Sequence, residues 1–505
     1  MKYTGITIGP IIKVLSLARK PRELWSASYL FSELMENLIT EIRKEAIIIS
    51  PGIIKENIAE VGLYPDRLFC KDYKKGFDAI VEIINTTKID YANKTKVFVD
   101  YFKTYAVEIN AENDGQAIGL LNKQLDYLEL YNIAVSDKAE QSVRKLIESK
   151  DNELGSGQIK VETLSEIASA QLEQINDKQY NECLAKTRKE EDETGKETFI
   201  KELKDYFKDK FKTPHKYICI VNADGDNMGT IVNTLNERKL EEFSDKLLDF
   251  GQKACRSVKS FGGLPIYAGG DDLLFIAPVI SNDKNGNEQT IFDLINKINN
   301  DFETAEIHKI TGKDPETEEI LNPSMSYGIS ITYYKYPLYE ALEMSRNLLF
   351  GVAKELRKNR FEEGIKIKHA IAWTLQKGSG SSVSGVFSKE EKELSLAFEG
   401  LIKSVNATTD LNLVSAVAYK IKSNEALLKL ILEDKNRNVR LDAFFETILE
   451  YNSKKETEKK YIDAVKKLLL ESYNITSDIK ETVKTIYAML RTAKFIKGLE
   501  EDKDE

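Results

Sequence analysis

Asp224, Gly225, Asp226 and Asn227 follow a continuous apolar run, Tyr217–Ala223, and Gly269, Gly270, Asp271 and Asp272 join two short β-like runs, Pro265–Ala268 and Leu273–Ala277. The apolar run suits a fully buried strand, and the aspartate-glycine stretch after it reads as a turn. Gly269 and Gly270 tolerate positive φ, so the second acidic segment reads as a tight hairpin. Both segments therefore present carboxylates where a strand ends. If the two strands are neighbours, Asp224 and Asp271 converge, with Asp226 and Asp272 beside them. Several like charges that close repel, and a divalent cation between them relieves the repulsion. Hard carboxylate oxygens with no His or Cys nearby in sequence favour Mg²⁺ or Mn²⁺ over Zn²⁺. Either acidic stretch alone is an ordinary turn; the pair reads as a site.

Chemistry of that kind uses two metals roughly 3.5–4 Å apart. One lowers the pKa of an attacking hydroxyl, and the other neutralises a triphosphate and its leaving pyrophosphate. Asp224 and Asp271 are the expected bridging ligands, the Gly225 carbonyl is expected to complete the second metal's shell, and Asp272 is a second-sphere or alternative ligand. Asp226 either joins the site or only shapes the turn. Phosphates also need positive charge, and Lys354, within VAKELRKNR, is the expected partner of the β- and γ-phosphates. Arg357 and Arg360 are weaker candidates. Ser326 and Gly328 either leave room for a flat base or belong to a tightly packed sheet face. Together with Gly225, Asp226, Asn227, Gly269, Gly270 and Lys354, they make the expected nucleotide-binding set.

The elements that must hold these residues occur in the order βαββαβ, twice. The first copy reads as a strand at 3–8, a helix at 21–44, strands at 46–49 and 67–70, a helix at 76–102 and a strand at 104–109, with a packed helix at 114–130. The second reads as a strand at 217–223, a helix at 238–260, a hairpin at 265–279, a helix at 290–308 and a strand at 325–333. A helix at 337–358, with Pro337 in its first turn, and a strand at 365–373 follow. This is the ferredoxin-like unit. A sheet of that type with carboxylates at adjacent strand ends is the palm of polymerases and nucleotidyl cyclases. The expected fold class is thus α+β: two ferredoxin-like palm domains, the second catalytic, plus helical domains. Only the second copy has the acidic turns, since Ile8-Gly9-Pro10 and Leu63-Tyr64-Pro65-Asp66 stand in their places in the first. The expected divisions are a degenerate palm at 1–131, a helical segment at 132–212, the catalytic palm at 213–376, a flexible linker at 377–387 (KGSGSSVSG and its neighbours) and a helical domain at 388–505. The charged run Lys186–Glu197 carries no assigned function, and the acidic end EEDKDE reads as disordered.

The chain has 505 residues, with 73 Lys and Arg against 82 Asp and Glu and a net charge of −9. That balance argues against gripping nucleic acid by bulk positive charge, though local basic patches remain compatible with it. Cys70, Cys183, Cys219 and Cys255 form no CxxC pair and read as reduced, buried residues of a cytoplasmic protein. Three histidines leave little for a His-Asp nuclease or a zinc hydrolase. No membrane span and no signal pattern is legible.

The chain resembles the large, polymerase-like subunit of type III CRISPR effector complexes, in particular the III-B (Cmr) branch. ITIGPIIKVLSLARKPRELWSASYLFSEL is similar to that family's opening motif, and VNADGDNMG, YAGGDD and SYGISITYYKYPLYEALEMS...VAK to its catalytic palm, in the same order. The resemblance implies ATP as substrate, partner effector subunits with a guide crRNA and a target RNA in a ribonucleoprotein, and activation by that RNA. The implied product is a second messenger: a cyclic oligoadenylate, or AMP joined to S-adenosylmethionine as in some compact members. Many members begin with a His-Asp nuclease domain, whereas this sequence starts at the first palm, so signalling without intrinsic DNA cleavage is expected. Two other readings compete: a stand-alone diguanylate-cyclase-like enzyme, and an inert scaffold of a guide-RNA complex.

Overall fold

Two four-stranded antiparallel motifs of the same topology are the frame of the computed structural model. It describes the chain except residues 55, 56, 58, 59, 131–134, 156, 158, 188–192, 314–317, 358–366, 406–410, 450–454 and 500–505. Arg360, the centre of the charged run and the acidic end therefore lie outside the described residues. In the first motif β1 (Lys2–Gly9), α1 (Pro21–Ile42), β2 (Ile47–Ser50), β3 (Arg67–Lys71), α2 (Phe77–Thr95) and β4 (Lys103–Asn110) form a sheet in the order β2-β3-β1-β4. The helix α3 (Asp114–Glu129) covers its second face, with Leu121 and Leu125 seated on Gly5.

The second motif repeats this with β5 (Tyr217–Asp226), α4 (Met228–Thr234), α5 (Glu237–Ser260), β6 (Leu264–Gly269), β7 (Asp272–Pro278), α6 (Ile291–Thr304) and β8 (Ser324–Tyr333). The helix α7 (Leu338–Leu348) leads to β9 (Ala370–Gln376) and β10 (Ser382–Ser388), and the sheet order is β10-β9-β8-β5-β7-β6. The four strands β6-β7-β5-β8 at one end of this sheet repeat the ferredoxin-like arrangement, and β9 is added parallel to β8. The expected alternation of β8 holds, but both faces are buried. Tyr327 donates to Asn299 on α6, while Ser330 on the opposite face donates to the Ala341 carbonyl on α7. A strand sandwiched between helix layers needs no polar face.

Four local expectations are corrected by the structure. The stretch 224–226 is not a turn: β5 runs on through Asp226, because Asp224 and Asp226 pair with Ser326 and Ser324 of β8. The segment 377–387 is not a flexible linker throughout. Its second half belongs to β10, where Gly385 lies against the Trp373 ring and the hydroxyls of Thr374 and Ser384 are 2.8 Å apart. Small residues that look like a linker by composition here make room for an aromatic neighbour. The helix expected at 76–102 ends at Thr95, with Lys96 left-handed at φ +58. Finally, Pro337 caps α7 from outside, and α7 passes at Leu349–Ala353 into a π-helical turn. The wider turn shifts the buried stripe, so Ala353 is buried and Val352 is 38% exposed.

The two motifs are joined through their edges and helices. The Ala268 N–H donates to the Gly62 carbonyl at 2.9 Å, which tethers β6 to the first motif. Lys71 of β3 is ion-paired with Asp114 on α3 and with Glu237 on α5, at 2.9 and 2.8 Å. All four cysteines are free and buried. No helix among the described residues is long and apolar enough to cross a membrane.

Candidate active site at the end of strand β5

Beyond Ala223, β5 loses its partner on one side, since its pairing with β7 ends at Ala223–Leu273. The hairpin tip, Gly270 and Asp271, bridges Gly269 and Asp272, which pair with each other, and Gly270 takes the required positive φ of +65. That tip closes over β5 at Gly225. A Cβ on Gly225 would lie 2.7 Å from the Asp271 Cβ and 2.5 Å from two Met228 side-chain atoms, so only glycine allows this approach. The chain thereby brings together Asp224, Gly225 and Asp271. Gly225→Ala is expected to push the hairpin tip away, lowering turnover at least about tenfold with a modest fall in Tm; steady-state kinetics beside thermal unfolding check it.

Lys354 caps the π-helical turn and reaches the same oxygens. It is ion-paired with Asp224, and its ammonium donates to the Gly225 carbonyl at 2.9 Å. Its Nζ also lies 5.8 Å from the Phe350 ring centroid. Desolvation raises the Asp224 carboxyl above its usual range while Lys354 pulls it down. Asp271 is pushed up to about 7, by desolvation first and then by the neighbouring Asp224 carboxylate. Asp272 is raised well above the carboxylate range, by desolvation and then by Asp271 and Asp224, although its side chain reaches solvent at the mouth of the cleft. Asp66 of the first motif adds to the same field.

The remaining expected site residues are placed differently from one another. Asp226 is 1% exposed and accepts from the hydroxyls of Ser324 and Ser326 at 2.8 Å and from the His369 N–H at 2.9 Å. It ties β5, β8 and β9 together. Asp226→Ala would take this acceptor from the buried Ser326 hydroxyl and from the half-buried Ser324 hydroxyl and His369 N–H, at a cost of about 3 kcal/mol, read as a lower denaturation midpoint. The Ser326 hydroxyl is thus committed to Asp226, and it also accepts from the Ala370 N–H at 3.2 Å. Gly328 lies beneath α7, where a Cβ would come within 2.1 Å of the Ser345 carbonyl. Of the two readings for Ser326 and Gly328, the packed sheet face is the one these contacts match. Asn227 turns the chain into α4 with φ +63, and Gly269 makes room for the Tyr267 hydroxyl. Three neighbours escaped the sequence reading: Asp66, Lys368, whose charge acts on Asp224, and Phe350, 46% exposed beside Lys354. An exposed Phe one turn before the expected phosphate lysine was the available signal.

Two family models match the chain. The second palm domain of Cas10/Cmr2 matches residues 217–362, and the N-terminal model of the CRISPR-associated protein Cmr2 matches residues 3–208. The chain belongs to the Cas10/Cmr2 family. The Cmr subunit Cmr2 of Pyrococcus furiosus is 31% identical over an alignment of 226 residues that covers 39% of this chain and 22% of that relative's length. The chain is similar in structure to a subunit of the type III-B Cmr-beta complex in its apo state, with a TM-score of 0.60, 12% identity, and coverage of 99% of this chain and 82% of that one. It is also similar to a chain of that complex bound to cognate target RNA, with TM-score 0.54, 13% identity, and coverage of 88% and 78%. A Csm1–Csm4 cassette in complex with cA4 gives TM-score 0.50 at 10% identity, covering 96% of this chain and 70% of that one. At these identities the likeness is one of fold. The Cas10/Cmr2 second palm holds the acidic cleft, as expected of the repeated motif.

Proposed function

We propose that this Cas10/Cmr2 chain is the RNA-activated nucleotidyltransferase of a type III-B effector complex, converting ATP into a second messenger with release of pyrophosphate. One observation carries the reading: the Asp224 and Asp271 carboxylates and the Gly225 carbonyl meet at one cleft, and a cation, the Lys354 ammonium, already rests on two of the three. Among the described residues no three acidic, His or Cys side chains are gathered as a ready-made metal cage. The donor set nevertheless fits Mg²⁺ or Mn²⁺, being all hard oxygen and mutually repulsive until neutralised. Asp224, Asp271 and the Gly225 carbonyl would hold such ions, with Asp272 at the mouth. The ions supply Lewis acidity toward the phosphates and a more acidic attacking hydroxyl.

The chain's own residues do the rest. Gly225 keeps the hairpin tip against β5, Asp226 fixes the strand ends, and Lys354 offers its charge to the triphosphate as the β- and γ-phosphates leave together. Arg357 is a further cation on the same segment. Phe350, exposed beside Lys354, gives the base a flat apolar face in place of the filled space at Gly328. Phe350→Ala is expected to raise KM for ATP about fivefold or more with a smaller change in kcat, measured by initial rates.

Partner subunits, a guide crRNA and a target RNA belong to the same proposal. A structural relative is described as bound to cognate target RNA, and others as bound to cA4 and to pppApA, which supports an adenylate product. The site serves a ribose hydroxyl of a second ATP or S-adenosylmethionine as the acceptor of AMP. The assembled complex with labelled ATP, Mn²⁺ and matching RNA, with and without S-adenosylmethionine, tests this. Adenylate oligomers in both reactions assign the cyclic product, and a labelled conjugate only with S-adenosylmethionine assigns the other. Absence of any labelled product in either reaction returns the chain to the scaffold reading.

A further inference from the structure

We propose that the groove between two C-terminal helices, α8 (Leu411–Ser423) and α9 (Ile479–Ile496), binds a single-stranded polynucleotide. The groove has a volume of about 420 Å³. On α8 it is lined by Ser415, Tyr419 and Lys422, and on α9 by Tyr487, Arg491 and Lys494. Both sets have the spacing i, i+4, i+7, so each helix turns one continuous face to the groove. The helices run antiparallel, since Lys494 donates to the Ser415 hydroxyl at 2.8 Å while Lys422 lies 5.0 Å from the Tyr487 ring centroid.

Charge sets this surface apart from the rest of the molecule. Across the two helices Lys420, Lys422, Lys480, Lys484, Arg491 and Lys494 face a single acidic residue, Glu481, in a chain whose net charge is −9. No carboxylate lines the groove among the described residues. Lys422 and Lys494 stand at opposite ends of it, seven helical residues or roughly 10 Å apart. At a rise of about 3.4 Å per stacked nucleotide, that distance spans about three nucleotides of one strand. The aromatic rings decide between a polynucleotide and an acidic peptide. Tyr419 is 68% exposed, and Tyr487 is half-buried beneath Lys422. Cations at strand spacing with an open tyrosine face between them, here Tyr419, are how proteins track a sugar-phosphate backbone while stacking its bases. An acidic peptide would use the charges and leave the ring of Tyr419 in water. The groove is separate from the acidic cleft, so its assignment stands or falls without the nucleotidyltransferase reading.

The test uses the full chain and two fluorescein-labelled decamers, oligouridylate RNA and oligothymidylate DNA, followed by anisotropy across a salt series. The double variant Lys422→Glu/Lys494→Glu is expected to bind at least about tenfold more weakly and to lose about 1.4 from the slope of log affinity against log salt, at 0.7 per lost phosphate contact. Tyr419→Ala is expected to weaken binding about fivefold or more with the salt slope unchanged, because stacking releases no counterion. Circular dichroism and Tm confirm that these surface variants fold. Weakening of either strand by both variants supports the site, and the tighter strand identifies its source. Affinities within twofold of the wild type on both strands overturn it, as does a groove that takes a polyglutamate peptide and neither oligonucleotide.

Discussion

Replacing Asp271 and Asp272 by Ala is expected to leave a folded protein that assembles normally and makes no nucleotide product, with turnover down by about a thousandfold or more. The size of the loss follows from where the charge sits. Asp271 rides on the hairpin tip against Gly225, opposite Asp224, and Asp272 stands at the mouth beside it. Neither side chain belongs to the core, as Asp271 is half-buried and Asp272 exposed. The Asp271 carboxyl is raised by desolvation and then by the neighbouring Asp224 carboxylate, so its ionised form strains the fold when no cation is bound. The double variant should therefore melt no lower than the wild type without divalent cations. Adding Mn²⁺ should raise the wild-type Tm and leave that of the variant where it is. Thermal unfolding with and without Mn²⁺ reads this apart from any activity.

Lys354→Ala is the second large effect, expected to lower kcat by about a hundredfold without unfolding the domain. The lysine is attached to the turn that follows α7, whose buried Leu338, Ala341, Leu348 and Leu349 fix it against the sheet. Its ammonium already neutralises Asp224 and binds the Gly225 carbonyl, so it is poised at the point where negative charge gathers. On the proposed function, the same side chain would be within reach of the leaving phosphates of a bound triphosphate. Lys354→Arg is expected to rescue only in part, because a planar guanidinium cannot replace a compact ammonium on two convergent oxygens. Unchanged ATP turnover in Lys354→Ala would make the ion pair with Asp224 purely structural.

Much of the frame was legible because each motif alternates strong apolar strands with amphipathic helices at recognisable periods. The hairpin at 265–279 and its acidic tip were readable from two short β-like runs flanking Gly269 and Gly270. The part that escaped depends on contacts distant in sequence. Asp224 and Asp226 looked like one turn, yet β8 supplies Ser326 and Ser324 opposite them and extends the strand. Asp226 consequently serves three donors from two other segments of the chain, a role invisible without knowing that His369 and β8 lie beside it. The serine-glycine stretch after Lys377 read as a linker because composition does not reveal that Trp373 needs a small neighbour at Gly385. The π-helical turn shifted the register of the last residues of the helix by about one position, so that Val352 faces outward and Lys354 meets Asp224.

The decisive experiment is pyrophosphate release from ATP by the assembled complex, in Mn²⁺ and matching RNA, with wild-type chain beside Asp271→Ala/Asp272→Ala. The wild type is expected to show RNA-dependent release in step with an adenylate product, and the variant neither. Equal release from both proteins would contradict the proposed function, by placing the chemistry outside the cleft between β5 and the hairpin.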